Sequence, residues 1–173
     1  SIATDGVTVN RASPVSGMTV SGTTPITYGT ASNWQGSETN TNDGTCSYAL
    51  LRNGASVDNP DTTVLGNATY NYTYYTTGCT NYTAGQKEGT LIVNKASPNT
   101  GMTLTLDGSP TTLQTRTYPN ATDIQSSETN SGDSGCTYTL YQDGESISNG
   151  IVTLAARPAD DYNFTYATAG CVN

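Results

Sequence analysis

A chain of 173 residues with a formal net charge of −8, a pI near 4.1 and six basic residues scattered along it has no patch able to neutralise phosphates. Neither nucleic acid nor an anionic membrane surface is expected as a partner. Hydrophobic residues make up 34% and charged residues 12%, the latter about half the usual share, which describes a globular chain with a small core and a Thr-, Ser- and Asn-rich surface. No apolar run is long enough to span a bilayer, so no direct membrane insertion is expected. No basic-then-apolar leader is present, and Ser1 reads as the start of a processed chain.

In chain order, Gly6, Val7, Thr8, Val9 and Asn10 read as a first short strand, followed by Arg11, Ala12, Ser13 and Pro14. Further strands are expected over 18–20, 32–38, 46–51, 55–57, 63–65, 69–75 and 90–93, with no window of helical period. Asn53 and Gly54 supply the positive φ angles of a tight hairpin turn, as Asp143 and Gly144 do later in the chain. Tyr70, Tyr72 and Tyr74 fall on one face of their strand and Asn71 and Thr73 on the other, so the rings belong to a core. Trp34 is assigned to the same core. Seven short strands in about 80 residues indicate an immunoglobulin-like β-sandwich, and the fold class is all-β.

The organisation repeats. Val9 to Pro14 and Gly17, Met18, Thr19 recur as Val93 to Pro98 and Gly101, Met102, Thr103, an offset of 84. After an insertion the offset is 90, which matches Tyr28 with Tyr118, Gln35 with Gln125, Ser37 to Asn40 with Ser127 to Asn130, and Cys46, Tyr48 and Leu50 with Cys136, Tyr138 and Leu140. It then becomes 92, matching Tyr70 to Tyr74 with Tyr162 to Tyr166 and Cys79 with Cys171. Two tandem domains follow, over 12–94 and 95–173, each holding one cysteine pair. With no histidine and no CxxC, disulfides Cys46–Cys79 and Cys136–Cys171 in an oxidising compartment are expected ahead of zinc or the other two connectivities. In the chain-entropy model each such bridge contributes roughly 3.7 kcal/mol.

The second unit has no counterpart of the strand over 90–93. That strand's sequence match lies at the other end of the chain, where Val7 and Val9 stand for Leu91 and Val93. Residues 1–11, with Val7, Thr8 and Val9 at their centre, are therefore expected to act as a donor strand that completes the second unit of a neighbouring copy. Such a relation propagates head to tail into a filament. The other arrangement is a longer tandem array whose sequence continues past Asn173.

Tyr70 to Pro98, with its Tyr-rich strand, Asn81, Tyr82, Thr83 and the closing Val93, Asn94, Lys95, Ala96, Ser97, Pro98, resembles the tandem immunoglobulin-like repeats of archaeal and bacterial cell-surface proteins. The resemblance covers nearly the whole chain, twice. It implies an extracellular structural role, as stalk, surface-layer component or adhesin spacer, and donor-strand filaments are similar in logic. The cysteine pair in each unit departs from the commonest members.

Asn67, Asn71, Asn81, Asn120 and Asn163 each begin an Asn-x-Thr glycosylation signal. Asn71 and Asn163 stand out, because they occupy equivalent outward positions on an aromatic strand. N-linked glycans are the one non-protein group expected, with no cofactor and no metal site assigned. Asp58 with Asp61 and Asp160 with Asp161 fall short of a calcium loop's ligand density. Glu38 and Glu128, repeated in Ser-Glu-Thr-Asn, suggest a shared structural hydrogen bond rather than catalysis, and no catalytic motif is present. The expectation is a glycosylated extracellular filament subunit, not an enzyme, whose partners are copies of itself. The alternative is an immunoglobulin-like stalk or adhesin module, its surface or glycan ligand unassigned.

Overall fold

The computed structural model describes residues 5–98, 101–110, 113–130, 135–155 and 157–172. The chain divides into two compact units, Ser1–Asn94 and Lys95–Asn173. Both are built from strands, and no helix of regular length occurs among the described residues.

In unit 1 the strands are β1 (Met18–Ser21), β2 (Ile26–Thr27), β3 (Gln35–Glu38), β4 (Tyr48–Arg52), β5 (Ala55–Val57), β6 (Ala68–Thr76) and β7 (Gly85–Asn94). One layer pairs β1 with β3, and the other runs β2-β7-β6-β4-β5. All pairings are antiparallel except β2 with β7, where Ile26 lies beside Val93. Between the layers lie Met18, Ile26, Trp34, Leu50, Leu65, Tyr72, Tyr74, Leu91 and Val93, all buried. Trp34 stacks on Tyr72 with centroids 4.9 Å apart, and Tyr48 stacks on Tyr74 at 5.5 Å. The β4–β5 hairpin turns through Asn53 and Gly54 at φ of 50° and 83°, as its sequence requires.

Unit 2 contains β8 (Met102–Leu106), β9 (Thr122–Glu128), β10 (Tyr138–Gln142), β11 (Glu145–Ile147), β12 (Ile151–Leu154) and β13 (Phe164–Thr168). Its layers are β12-β9-β8 and β11-β10-β13. The all-β class with one disulfide per unit is borne out: Cys46 bonds Cys79 and Cys136 bonds Cys171.

Several expected strands differ in detail, the one over 32–38 being regular only over Gln35–Glu38. The strand over 63–65 reduces to single bridges, Trp34↔Asp61 and Ala31↔Val64, because the Asp61 carboxylate takes the Thr63 N–H at 3.0 Å that a ladder would use. In unit 2, Val152 stands opposite Ile124 as Asp61 stands opposite Trp34, and without that carboxylate the regular strand β12 forms. The strand expected at 90–93 begins five residues earlier, at Gly85, since the polar run Gly85 to Gly89 pairs along β6 without any apolar alternation to announce it. Cys46 lies in a turn before β4, its N–H donating to Asp43 O at 2.6 Å.

Candidate strand-binding site

The two units differ most along one sheet edge. In unit 1, β7 pairs with β6 over nine positions, from Ala68↔Val93 to Thr76↔Gly85. Its inward residues Leu91 and Val93 are 0% and 1% exposed and close the core over Tyr72 and Tyr74. The end of β7 is fixed by its neighbours: Asn67 Nδ2 donates to Val93 O at 2.7 Å and Tyr28 N–H to Asn94 O at 2.8 Å.

In unit 2, β13 pairs with β10 from Tyr138↔Thr168 to Gln142↔Phe164, and no strand lies on its other edge among the described residues. Phe164 and Tyr166, the counterparts of Tyr72 and Tyr74, are only half-buried. The length of β13 follows from the same difference. In β6 the part from Tyr72 to Thr76 is held by β4 as well as β7, whereas Ala68 to Asn71 pair with β7 alone. β13 corresponds to the doubly held part and stops there. β2 also lacks a counterpart among the described residues, because its partner in unit 1 is β7. Tyr118 is accordingly 68% exposed, whereas Tyr28 packs on the core of unit 1.

At the other end of the chain Val7 and Val9 are 89% and 88% exposed, and residues 5–11 form no ladder among the described residues. Thr8 between them is exposed too. Regular pairing starts at Ala12, whose N–H donates to Asn81 O and whose carbonyl accepts from Thr83 N–H, both at 2.9 Å. Two apolar side chains at alternate positions thus stand in water, three and five residues before the point where the chain is tied to unit 1. Residues 1–10 correspond in the repeat register to the ten residues of β7.

All five glycosylation-signal asparagines are exposed. Their amides differ. Asn67 donates to Val93 O and Asn81 donates to Asn42 O, each at 2.7 Å. The Asn71 and Asn163 side chains make no hydrogen bond among the described residues, while their backbones are held by the hairpin turns, Asn71 N–H on Asn53 Oδ1 at 2.9 Å and Asn163 N–H on Asp143 Oδ1 at 2.8 Å. Asn120 lies beside the exposed Tyr118.

The repeated Ser-Glu-Thr-Asn proves to be a clamp. Asn40 N–H donates to Glu38 Oε2 at 2.8 Å, and its amide reaches Pro14 O at 3.1 Å and the Tyr48 hydroxyl at 3.3 Å. In unit 2, Asn130 makes the same bonds to Glu128, Pro98 and Tyr138, at 2.9, 2.9 and 3.0 Å. Asp61, weighed with Asp58 as a calcium ligand, is spent internally: it accepts from Arg52, Tyr72 and Thr63. Burial acts to raise its pKa, but the bonds from Thr63 and Tyr72 and the Arg52 charge outweigh it, and its pKa lies below the ordinary carboxylate value. The repeat could not reveal this cluster, because unit 2 lacks it. Asp160 and Asp161 are exposed, joined by an Asp161 N–H to Asp160 Oδ1 bond of 2.8 Å.

No protein-family model and no curated protein matches the chain. Among solved structures it is similar to the fibronectin(III)-like modules of Clostridium thermocellum CbhA, at 11% identity over 87% of this chain and 84% of that one, with a TM-score of 0.35. A likeness of that degree carries no argument about function.

Proposed function

We propose that the chain is the subunit of an extracellular, N-glycosylated filament in which residues 1–10 of one copy add to the free edge of β13 in the next. The observation that supports this most is the unequal burial of two homologous aromatic strands. Tyr72 and Tyr74 are 0% and 6% exposed beneath β7, while Phe164 and Tyr166 stay half-buried beside an edge unoccupied among the described residues. A strand carrying valines at alternate positions supplies what Leu91 and Val93 supply in unit 1, each side chain worth about 1.5–3 kcal/mol on burial. Edge addition is an ordinary mode of β-recognition, with main-chain bonds giving affinity and alternate side chains giving specificity. Because the donating and accepting surfaces differ, repetition of the contact gives an open row of subunits. The two disulfides fit an oxidising compartment, and the glycosylation signals fit the cell exterior.

The test is the full chain carrying Val7→Asp and Val9→Asp, both at positions too exposed to disturb either unit. Light scattering and negative-stain electron microscopy should find filaments of the unchanged chain and monomers of the variant. Equal assembly of the two, or monomers from both at every concentration, would overturn the proposal. The second of these results is the one expected of a stalk or adhesin module whose β13 edge is filled by a later segment of its own chain.

A further inference from the structure

Unit 1 accommodates Trp34 between two glycines. A Cβ on Gly22 would lie 2.5 Å from Trp34 Cδ1, and one on Gly89 would lie 2.4 Å from Cζ3 and 2.8 Å from Cη2. The indole is 4% exposed and stacked on Tyr72, so it has no room to retreat. Gly89 sits in β7 opposite Tyr72, and Gly22 occupies the register position after Ser21↔Gln35. β7 must therefore carry glycine at its fifth residue.

Unit 2 fills the same three positions differently. Ile124 replaces Trp34, and the residue opposite it across the β8–β9 ladder is Leu106, where unit 1 has Gly22. Unit 2 thus has two aliphatic side chains, Ile124 fully buried and Leu106 half-buried, where unit 1 has an indole and a glycine. By the repeat register, the fifth residue of the incoming strand is Asp5. Gly89 is itself only part-buried and Leu106 is half-buried, so this place lies near the rim of the core.

We infer that the residue at the fifth strand position and the residue at 34 or 124 form a size key that assigns each strand to its own unit. This deepens the strand-addition reading and rests on it. Asp5 bars the strand over residues 1–10 from the place of β7 beside Trp34, whereas the matching place in unit 2 has Ile124 and Leu106 and no indole for Asp5 to meet. An incoming copy thus cannot displace β7 from unit 1, and growth is confined to the β13 edge.

The key is tested with labelled peptides of residues 1–11, native and Asp5→Gly, titrated into the full chain bearing Val7→Asp and Val9→Asp, whose groove is intact and whose own strand is disabled. The native groove should bind the native peptide at least as tightly as the glycine peptide. With Leu106→Gly and Ile124→Trp added, the preference should reverse by about ten-fold or more, the usual scale of an overpacking penalty. A second measurement does not depend on that variant folding: Gly89→Asp should lower the melting temperature of the full chain, and Gly89→Asp joined to Trp34→Ile and Gly22→Leu should recover it. Binding without reversal, or an unchanged melting temperature for Gly89→Asp, overturns the size key alone. Failure of the native peptide to bind the native groove overturns strand addition, and the key with it.

Discussion

The Tyr72 hydroxyl donates a 2.7 Å hydrogen bond to the carboxylate of Asp61, and neither residue has an equal in the second unit, where Phe164 and Val152 take their places. The bond ties the central aromatic strand of one sheet to the segment that bridges Trp34 in the other. Arg52 completes the cluster as the ion partner of Asp61, whose side chain is 3% exposed. Unit 1 therefore carries a buried charge with its partners at a place where unit 2 is apolar.

Acid should separate the two units. The Asp61 pKa is depressed in the folded state, so the stability it contributes is complete above its unfolded value of about 3.9 and is lost as pH falls through the lower folded value. In acid titrations followed by tryptophan fluorescence, which reports on Trp34 in unit 1, the unchanged chain should lose stability more steeply below about pH 4 than Asp61→Asn does. Tyr72→Phe should cost about 1.5–3 kcal/mol at neutral pH, the usual value of a hydrogen bond to a charged group. Identical acid profiles for the unchanged chain and Asp61→Asn would contradict this account.

The Asn40 clamp should be sensitive to a single methyl group. A Cβ on Gly17 would lie 2.3 Å from Asn40 Oδ1, and one on Gly101 would meet Asn130 Oδ1 at the same distance. Gly17→Ala should displace the amide from Pro14 O and Tyr48 and cost about 1–3 kcal/mol, read as a lower urea midpoint at unchanged slope. Joined to Asn40→Ala, it should cost less than the two single losses added, because both act through one network.

Both this clamp and the hairpin turns were legible in the sequence, since each appears twice in matching register: Gly17 with Asn40 and Gly101 with Asn130, Asn53-Gly54 and Asp143-Gly144. The correspondence of residues 85–94 with 1–10 was legible for the same reason. What escaped was whatever depended on a partner rather than a pattern. β2 is two residues long and exists through its pairing with β7. The first half of β7 is polar and takes its strand conformation from β6. The Asp61 cluster occurs once, from residues apart in sequence, and no periodicity marks it. The glycines at 22 and 89 have meaning only beside Trp34, a proximity that a sequence does not display.

Occupation of the β13 edge should reorganise its surroundings. The backbone from Asp160 to Asn163 should join the ladder as Ala68 to Asn71 do in β6, and the Tyr118 N–H should find the Asn10 carbonyl as that of Tyr28 finds Asn94. Hydrogen exchange of the full chain bearing Val7→Asp and Val9→Asp, with and without the 1–11 peptide, should show slowing at 160–163 and at 118. Peptide binding with no slowing at 160–163 would contradict the expected pairing.

Glycan occupancy should follow amide availability. Asn71 and Asn163 carry exposed amides on backbone held by the hairpin turns at Asn53 and Asp143, whereas the Asn67 amide is drawn onto Val93 O. Peptide mass spectra of native material should find Asn71 and Asn163 modified and Asn67 the least occupied of the three. Full occupancy of Asn67 with bare Asn71 and Asn163 would reverse the argument.

The Cys46–Cys79 bridge has a mechanical consequence. A row of subunits under tension would load unit 1 at Ala12, where the chain is pinned, and at Asn94, where β7 ends. Should the unit give way, its 33-residue covalent loop stays closed, withholding about 110 Å of contour at roughly 3.4 Å per residue. The 35-residue loop of unit 2 does the same. Each unit yields a limited length and keeps its looped strands enclosed, β4 to β6 in unit 1 and β10 to β13 in unit 2, so a stretched thread of this kind would lengthen in short steps and retain within every step a looped remnant from which to refold.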